Sequence, residues 1–195
     1  MEKNNRAERP VRANVSNRHI HLCLEDLEKL FGKGYKLNKI KDLIQPGEHA
    51  CKETVTIAGP KGGIEKVRIL GPLRKFTQVE VSAGDAIKLG LNAPVRGSGD
   101  IAGSAPIRIT GPAGAAELKE GCIVAKRHVH MTPKDAEFFG LKDGETVSLA
   151  CEGVRGLIFN NVVARVSDKM LLECHIDIEE ANAASLKNGD MVTIL

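Results

Sequence analysis

The chain has 195 residues, enough for one large or two small domains, and a formal net charge of only +3. Basic residues are interleaved with acidic ones and aromatics stand at 3%, so the chain lacks the charge density and stacking surface of a nucleic-acid binder. With 42% hydrophobic residues, its core must come from Val, Ile, Leu and Ala, the residues of pleated surfaces, and its mild basicity suits a small anion such as a phosphate ester.

The opening MEKNNRAERP is charged, with a tip expected to be loose, and shows neither a signal peptide nor an apolar helical stripe. SNRHIHL (16–22) follows, an H-x-H pair of His19 and His21 preceded by Arg18, with Asp26 five residues after His21. His49, in PGEHACKE, reads as an ordinary polar or partly buried histidine. Alternating runs between Gly and Pro then read as strands: CKETVTIAGP (51–60), VRILGP (67–72) and TQVEVSAG (77–84), the last carrying Glu80. Arg74 lies at the turn after the Gly71-Pro72 corner, six residues before Glu80. The glycine-rich stretches 59–63 and 97–100 read as flexible loops with room to touch phosphates.

IRITGP (107–112) is a further strand, and AKRHVHM (125–131) brings a second H-x-H pair, His128 and His130, preceded by Arg127. TVSLACEG (146–153), LIFNNVVARVS (157–167), LLECHIDI (171–178), with His175, and MVTIL (191–195) complete the strands. Asn160-Asn161 is either a turn or a polar pair at a strand edge. Gly59-Pro60, Gly71-Pro72 and Gly111-Pro112 mark turns rather than strand interiors. The reading is a mainly β chain with several short helices and no apolar run near the ~18 residues of a membrane span.

An internal repeat runs through these pieces. DAIKLGLNAPVR (85–96), DAEFFGLKDGETVSL (135–149) and EANAASLKNGDMVTIL (180–195) each join an acidic residue, a short helical turn and a strand. Asp135 and Glu180 are placed to cap their helices, where a carboxylate accepts orphan amide protons. Five residues before each acidic position stands a possible metal ligand: Glu80 before Asp85, His130 before Asp135 and His175 before Glu180. A divergent fourth copy sets His21 before Asp26.

In a strand, residues i and i+2 share a face with Cα atoms about 6.5 Å apart, so the two imidazoles of an H-x-H pair can lean onto one metal with Zn–N bonds of about 2.0–2.1 Å. Ile20 and Val129 then face a core. Imidazole and carboxylate without thiolate suit Zn, with Fe, Mn, Co or Ni as alternatives. Six ligand-capable side chains exceed one tetrahedral site and fit two metals with open positions, a catalytic arrangement. Arg74 reads either as a surface arginine or as a clamp for phosphate beside them. No nucleophile elbow, Walker loop, dinucleotide fingerprint or H-E-x-x-H helix competes. The five cysteines form no C-x-x-C pair and are odd in number, so reduced thiols in a cytosolic protein are expected.

SNRHIHL, LIQPGEHA, LGPLRKFTQVEVSAGDA, VAKRHVHM, LIFNNVVARVS and HIDIEEANAA, in this order, resemble the PduL-type phosphotransacylases, also called phosphate propanoyltransferases, over residues 12–195. The resemblance implies two pseudo-symmetric six-stranded β-barrels capped by short α-helices, with two zinc ions per chain between the barrels, in a homodimer. One barrel would span 18–125, and the other would join 1–17 to 126–195. The family's metal ligands fall on His19, His21, Glu80, His128, His130 and His175, and its catalytic arginine on Arg74. By similarity, His19, His21 and Glu80 hold one zinc near the thioester sulfur, and His128, His130 and His175 hold the other. Arg18 and Arg127 are candidate substrate-binding residues. Microcompartment members carry an amphipathic N-terminal extension; the short opening here points instead to a freely cytoplasmic enzyme.

The activity so implied exchanges an acyl group, propanoyl or acetyl, between coenzyme A and phosphate, with acyl-CoA, CoA and phosphate as partners and no nucleic acid or membrane. Arg74 would bind phosphate and offset oxyanion charge, and no protein nucleophile is needed. Two rivals use the same ligands. A dizinc hydrolase would activate water instead of phosphate, and a non-catalytic zinc-stabilised barrel would have closed metal shells.

Overall fold

The computed structural model describes residues 6–195; the tip expected to be loose lies, in residues 1–5, outside the described residues. After a 3-10 turn at Arg6–Glu8, β1 (Val11–Ser16) leads to β2 (His19–His21) and α1 (Leu24–Phe31). Next come β3 (Lys39–Asp42), β4 (His49–Gly59), β5 (Gly62–Gly71), β6 (Gln78–Val81) and α2 (Ala83–Leu89). β7 (Val95–Arg96), β8 (Ala105–Thr110) and β9 (Ala115–Ala125) precede β10 (His128–Met131) and α3 (Pro133–Phe139). β11 (Thr146–Cys151), β12 (Leu157–Val166), β13 (Glu173–Asp177), α4 (Ile178–Ala184) and β14 (Met191–Ile194) follow. All three Gly-Pro pairs fall at or just after strand ends, as alternation broken by a missing N–H requires.

The chain divides into two compact units, one of Asn17–Ala125 and one joining the segment up to Ser16 to Lys126–Leu195. In the second unit, the strand order β1-β13-β10-β12-β11-β14 closes into a six-stranded barrel through the β1–β14 pair. In the first, β4-β5-β2-β6-β9-β8 closes likewise through β4–β8, with β3 added on β4 and β7 on β9. Strand directions correspond around both rings. β2 is parallel to β5 and antiparallel to β6, just as β10 is parallel to β12 and antiparallel to β13. The chain is thus mainly β, two six-stranded barrels with four short helices, as the repeat and the resemblance imply.

Each barrel has its own aliphatic core. Ile20, Leu22, Ile57, Ile69 and Ile123 fill one, and Val129, Met131, Leu149, Val162 and Ile176 the other. Ile20 and Val129, the middle residues of the two H-x-H pairs, are fully buried in them. Long β9 was hidden in the sequence by its Ala, Glu and Lys content, poor in strand formers. Gly121 within it holds φ at 143°, and a Cβ there would come within 2.9 Å of the Leu118 side chain. Asn160-Asn161 resolves as neither a turn nor an edge pair. It lies inside β12 beside a register shift, with Asn161 left-handed at φ 58°, and Lys66 occupies the equivalent place in β5 at φ 57°.

Each N-cap stands two residues past the ligand-bearing strand position, and the helix begins one residue later, so the cap stands three residues earlier than the sequence implied. Ser82, Thr132 and Asp177 are the N-caps, their side chains accepting from the N–H groups of Asp85, Asp135 and Glu180. Asp135 and Glu180 sit at N3 and accept from the N-cap N–H groups of Thr132, at 2.9 Å, and Asp177, at 3.0 Å, completing capping boxes. The divergent copy lacks this device: its N-cap is Cys23, which makes no side-chain cap bond.

Candidate metal centres

In the first barrel the antiparallel ladder sets His19 opposite Glu80 and His21 opposite Gln78. His19, His21 and Glu80 bring one ligand-capable atom each to within 4.8 Å of one another. His19 Nδ1 lies 2.8 Å from the Asn17 carbonyl, which can only accept, so the ring proton is on Nδ1 and the lone pair on Nε2. That Nε2 stands 3.4 Å from Glu80 Oε2, two electron-rich atoms that call for positive charge between them. Burial opposes protonating His19, but the Glu80 carboxylate outweighs it and lifts the ring's pKa. Glu80 itself is held far below the usual carboxylate range, its burial penalty overcome by His19. Burial, then the charge on His19, holds His21 down at about 2.

The second barrel repeats the arrangement in register. His128 faces His175 and His130 faces Glu173. His128, His130 and His175 again place one ligand-capable atom each within 4.8 Å of one another. His128 Nδ1 is 2.8 Å from the Lys126 carbonyl, matching His19 on Asn17. Its Nε2 is 2.9 Å from His130 Nε2. Burial, then His128, presses His130 down to about 2. At the two equivalent rings, His21 and His130, Nδ1 is buried without a hydrogen-bond partner among the described residues. These rings keep coordinating capacity that the protein leaves unused, and the neutral imidazoles are in the form a metal needs.

Two residues unmarked in the sequence support the third ligands. Gln78, fully buried, donates to Glu80 Oε1 at 2.6 Å and to Ser98 Oγ at 2.9 Å. Glu173, also fully buried, accepts from His175 Nε2 at 2.8 Å. Both lie two residues before the third ligand, on the same strand face, a signal that spacing alone could have raised. Arg74 belongs to the first barrel's site. Its guanidinium donates to Ser98 Oγ at 3.1 Å and to Glu48 Oε1 at 3.0 Å, and its charge opposes protonation of both rings, His19 and His21, without reversing the rise at His19.

The model of the phosphate propanoyltransferase family matches residues 12–187, which include both clusters and Arg74. The chain belongs to the phosphate propanoyltransferase family. It is 55% identical to the phosphate propanoyltransferase of Thermotoga maritima over 191 residues, 97% of this chain and 91% of that protein. The protein of that name from Lachnoclostridium phytofermentans is 56% identical over 186 residues, 95% of this chain and 87% of its own. That from Salmonella typhimurium is 52% identical over 182 residues, 93% and 86% respectively. Membership in this family makes the chain a transferase.

The remaining expected residues of this phosphate propanoyltransferase family member lie around the clusters. Arg18 donates to Asp85 at 2.6 Å and Arg127 to Glu180 at 2.6 Å. In each barrel, then, the arginine before the H-x-H pair reaches the N3 acid of the helix that follows the third ligand. Arg127 Nε also holds the Asn160 carbonyl at 2.8 Å. Half-buried His49 stands outside both clusters, its ring over Gly71, where a Cβ would come within 2.2 Å of Nε2. Among the described residues, no helix is long and apolar enough to cross a membrane.

Proposed function

We propose that the chain interconverts a short-chain acyl-CoA (propanoyl-CoA or acetyl-CoA) plus phosphate with acyl phosphate plus CoA, using one Zn2+ at each cluster and Arg74 as the phosphate-binding residue. The observation that carries this reading is the pair of register-equivalent clusters, each with three ligand-capable atoms within 4.8 Å, in a family named for propanoyl transfer to phosphate. His19, His21 and Glu80 would hold one ion, and His128, His130 and His175 the other. Bound zinc would supply Lewis-acid chemistry, polarising phosphate or thioester oxygen and favouring the thiolate form of the departing CoA.

The chain's own groups supply the rest. Arg74 presents a planar fork that matches two phosphate oxygens, and Glu48 and Ser98 fix its direction. Once phosphate is held, its oxygen meets the thioester carbonyl without the entropic cost of a free encounter, and the guanidinium offsets charge developing on the carbonyl oxygen. Arg18 and Arg127, each paired with an N3 acid, are assigned to bracing the H-x-H strands rather than to substrate. At Cys51, Cys122, Cys151 and Cys174 a thiol nucleophile is disfavoured, since burial pushes all four up, away from the thiolate.

A thiol-release assay with propanoyl-CoA and acetyl-CoA, with and without phosphate and a chelator, tests the reading. Release that needs phosphate and stops on metal removal is expected. Release independent of phosphate would identify a hydrolase. A chain that unfolds on metal removal and releases no thiol when loaded would be the closed, structural barrel.

A further inference from the structure

Each barrel carries one carboxylate at its cluster, but not in the same place. In the first, the carboxylate is Glu80 itself, held by the neutral amide of Gln78 at 2.6 Å. In the second, the third ligand is His175, an imidazole in place of a carboxylate, and the residue two positions before it is Glu173, whose side chain is 0% exposed. The register makes these pairs equivalent, because Gln78 lies opposite His21 and Glu173 opposite His130. Acid and neutral partner have changed places.

The hydrogen bonds around Glu173 define what it can do. Its Oε2 lies 2.8 Å from His175 Nε2, and its Oε1 accepts from Asn14 Nδ2 at 3.1 Å. Asn14 sits opposite His175 on β1. With Glu173 Oε2 accepting from it, the His175 proton is on Nε2 and the ring's one lone pair is on Nδ1. His128 is fixed the other way, with its proton on Nδ1 toward Lys126 and its lone pair on Nε2. A carboxylate this deeply buried is stable where positive charge offsets it, and a divalent ion held by His128, His130 and His175 would supply that charge.

We propose that Glu173 is a positioning residue of the His128–His130–His175 centre, locking His175 in the tautomer that offers Nδ1 and giving this centre the negative charge that Glu80 gives the other as a ligand. The proposal rests on the metal reading above. If Glu173 served only to hold the fold, its loss would change stability and leave metal affinity alone.

The test is a Zn2+ titration of the full chain against a chromophoric chelator, with wild type, Glu173→Gln, Glu173→Leu and His128→Ala compared. His128→Ala identifies the binding phase that belongs to the second barrel. Glu173→Leu should weaken that phase by about 10- to 100-fold, the usual cost of losing a group behind a metal-bound histidine, and leave the other phase unchanged. Glu173→Gln preserves shape and can still accept from His175, so it should weaken the phase less, by up to about tenfold. It also decides the matter should Glu173→Leu fail to fold. Co2+ bound in that phase should show a shifted visible spectrum in both variants. Wild-type affinity in both phases and an unshifted spectrum for Glu173→Gln would overturn the proposal. A wild-type chain that takes up no metal would overturn the metal reading itself, and this inference with it.

Discussion

The two barrels are alike in everything that hydrogen-bond ladders control and unlike where a single side chain can be exchanged. Strand order, strand direction and the register of the H-x-H pair against the third ligand coincide. So do the carbonyl behind the first histidine, the ring nitrogen left unpaired at the second, and the arginine reaching an N3 acid. The differences are Glu80 against His175, Gln78 against Glu173, and Cys23 against Thr132 as the cap of the helix after the H-x-H strand. The scaffold sets where ligands stand; the residue there sets the charge they bring.

Removing the second histidine of either pair gives the largest expected effect. His21→Ala and His130→Ala should each cut turnover further than any change outside the clusters, as phosphate-dependent thiol release would show, and each should lose one of two metal equivalents by elemental analysis. Retention of both metals in either variant would break the equivalence of the barrels. Arg74→Ala should lower kcat by about 10²–10³, the scale of one oxyanion-stabilising donor, with metal content unchanged. Near-normal turnover would remove Arg74 from the reaction.

Acid should separate the barrels next. His21 and His130 are held near pKa 2 in the fold, below the 6.5 of an ordinary imidazole. Below about 6.5 the unfolded chain takes up protons that the folded, metal-free chain refuses, so stability falls as pH drops through that window, by about 2 kcal/mol per histidine between pH 6.5 and 5. In the first barrel, His19 works the other way. Its pKa is raised, so its stabilising proton is fully present below the unfolded value and lost only as pH rises through the folded one. Hydrogen exchange on the metal-free chain should therefore show β10 and β13 opening before β2 and β6 as pH falls from 7 to 5. The reverse order would sink this assignment of charge.

Caps give smaller effects. Thr132→Ala should cost about 1 kcal/mol of stability in a denaturant titration. Cys23→Ser should keep full activity, and by adding an acceptor where no cap bond exists it should gain up to about 1 kcal/mol. Loss of turnover in Cys23→Ser would return that thiol to the mechanism.

Much of this was open to reading in the sequence because its signals are short in range. Alternation gave β4, β5, β8 and β11, and the five-residue spacing from Glu80 to Asp85 and from His130 to Asp135 marked one strand-to-helix step repeated. What stayed hidden depends on partners distant in the chain. β9 is a strand because β6 and β8 pair with it, although its own residues argue weakly for one. Gln78 and Glu173 look like ordinary polar strand residues until the ladder sets them opposite His21 and His130. Ser98 lies in the glycine-rich loop 97–100, which the sequence marks, but only the fold shows its hydroxyl receiving both Arg74 and Gln78.

One strand has a consequence for the order in which the molecule is made. β1, made before any strand of the barrel of residues 17–125, fills the gap between β13 and β14, which are made after all of them. The inner barrel of residues 17–125 can close as it leaves the ribosome, at the usual pace of domains folding in turn. The outer one cannot. Its first stave must wait, with its row of N–H and C=O groups unpaired, until β13 and β14 have emerged.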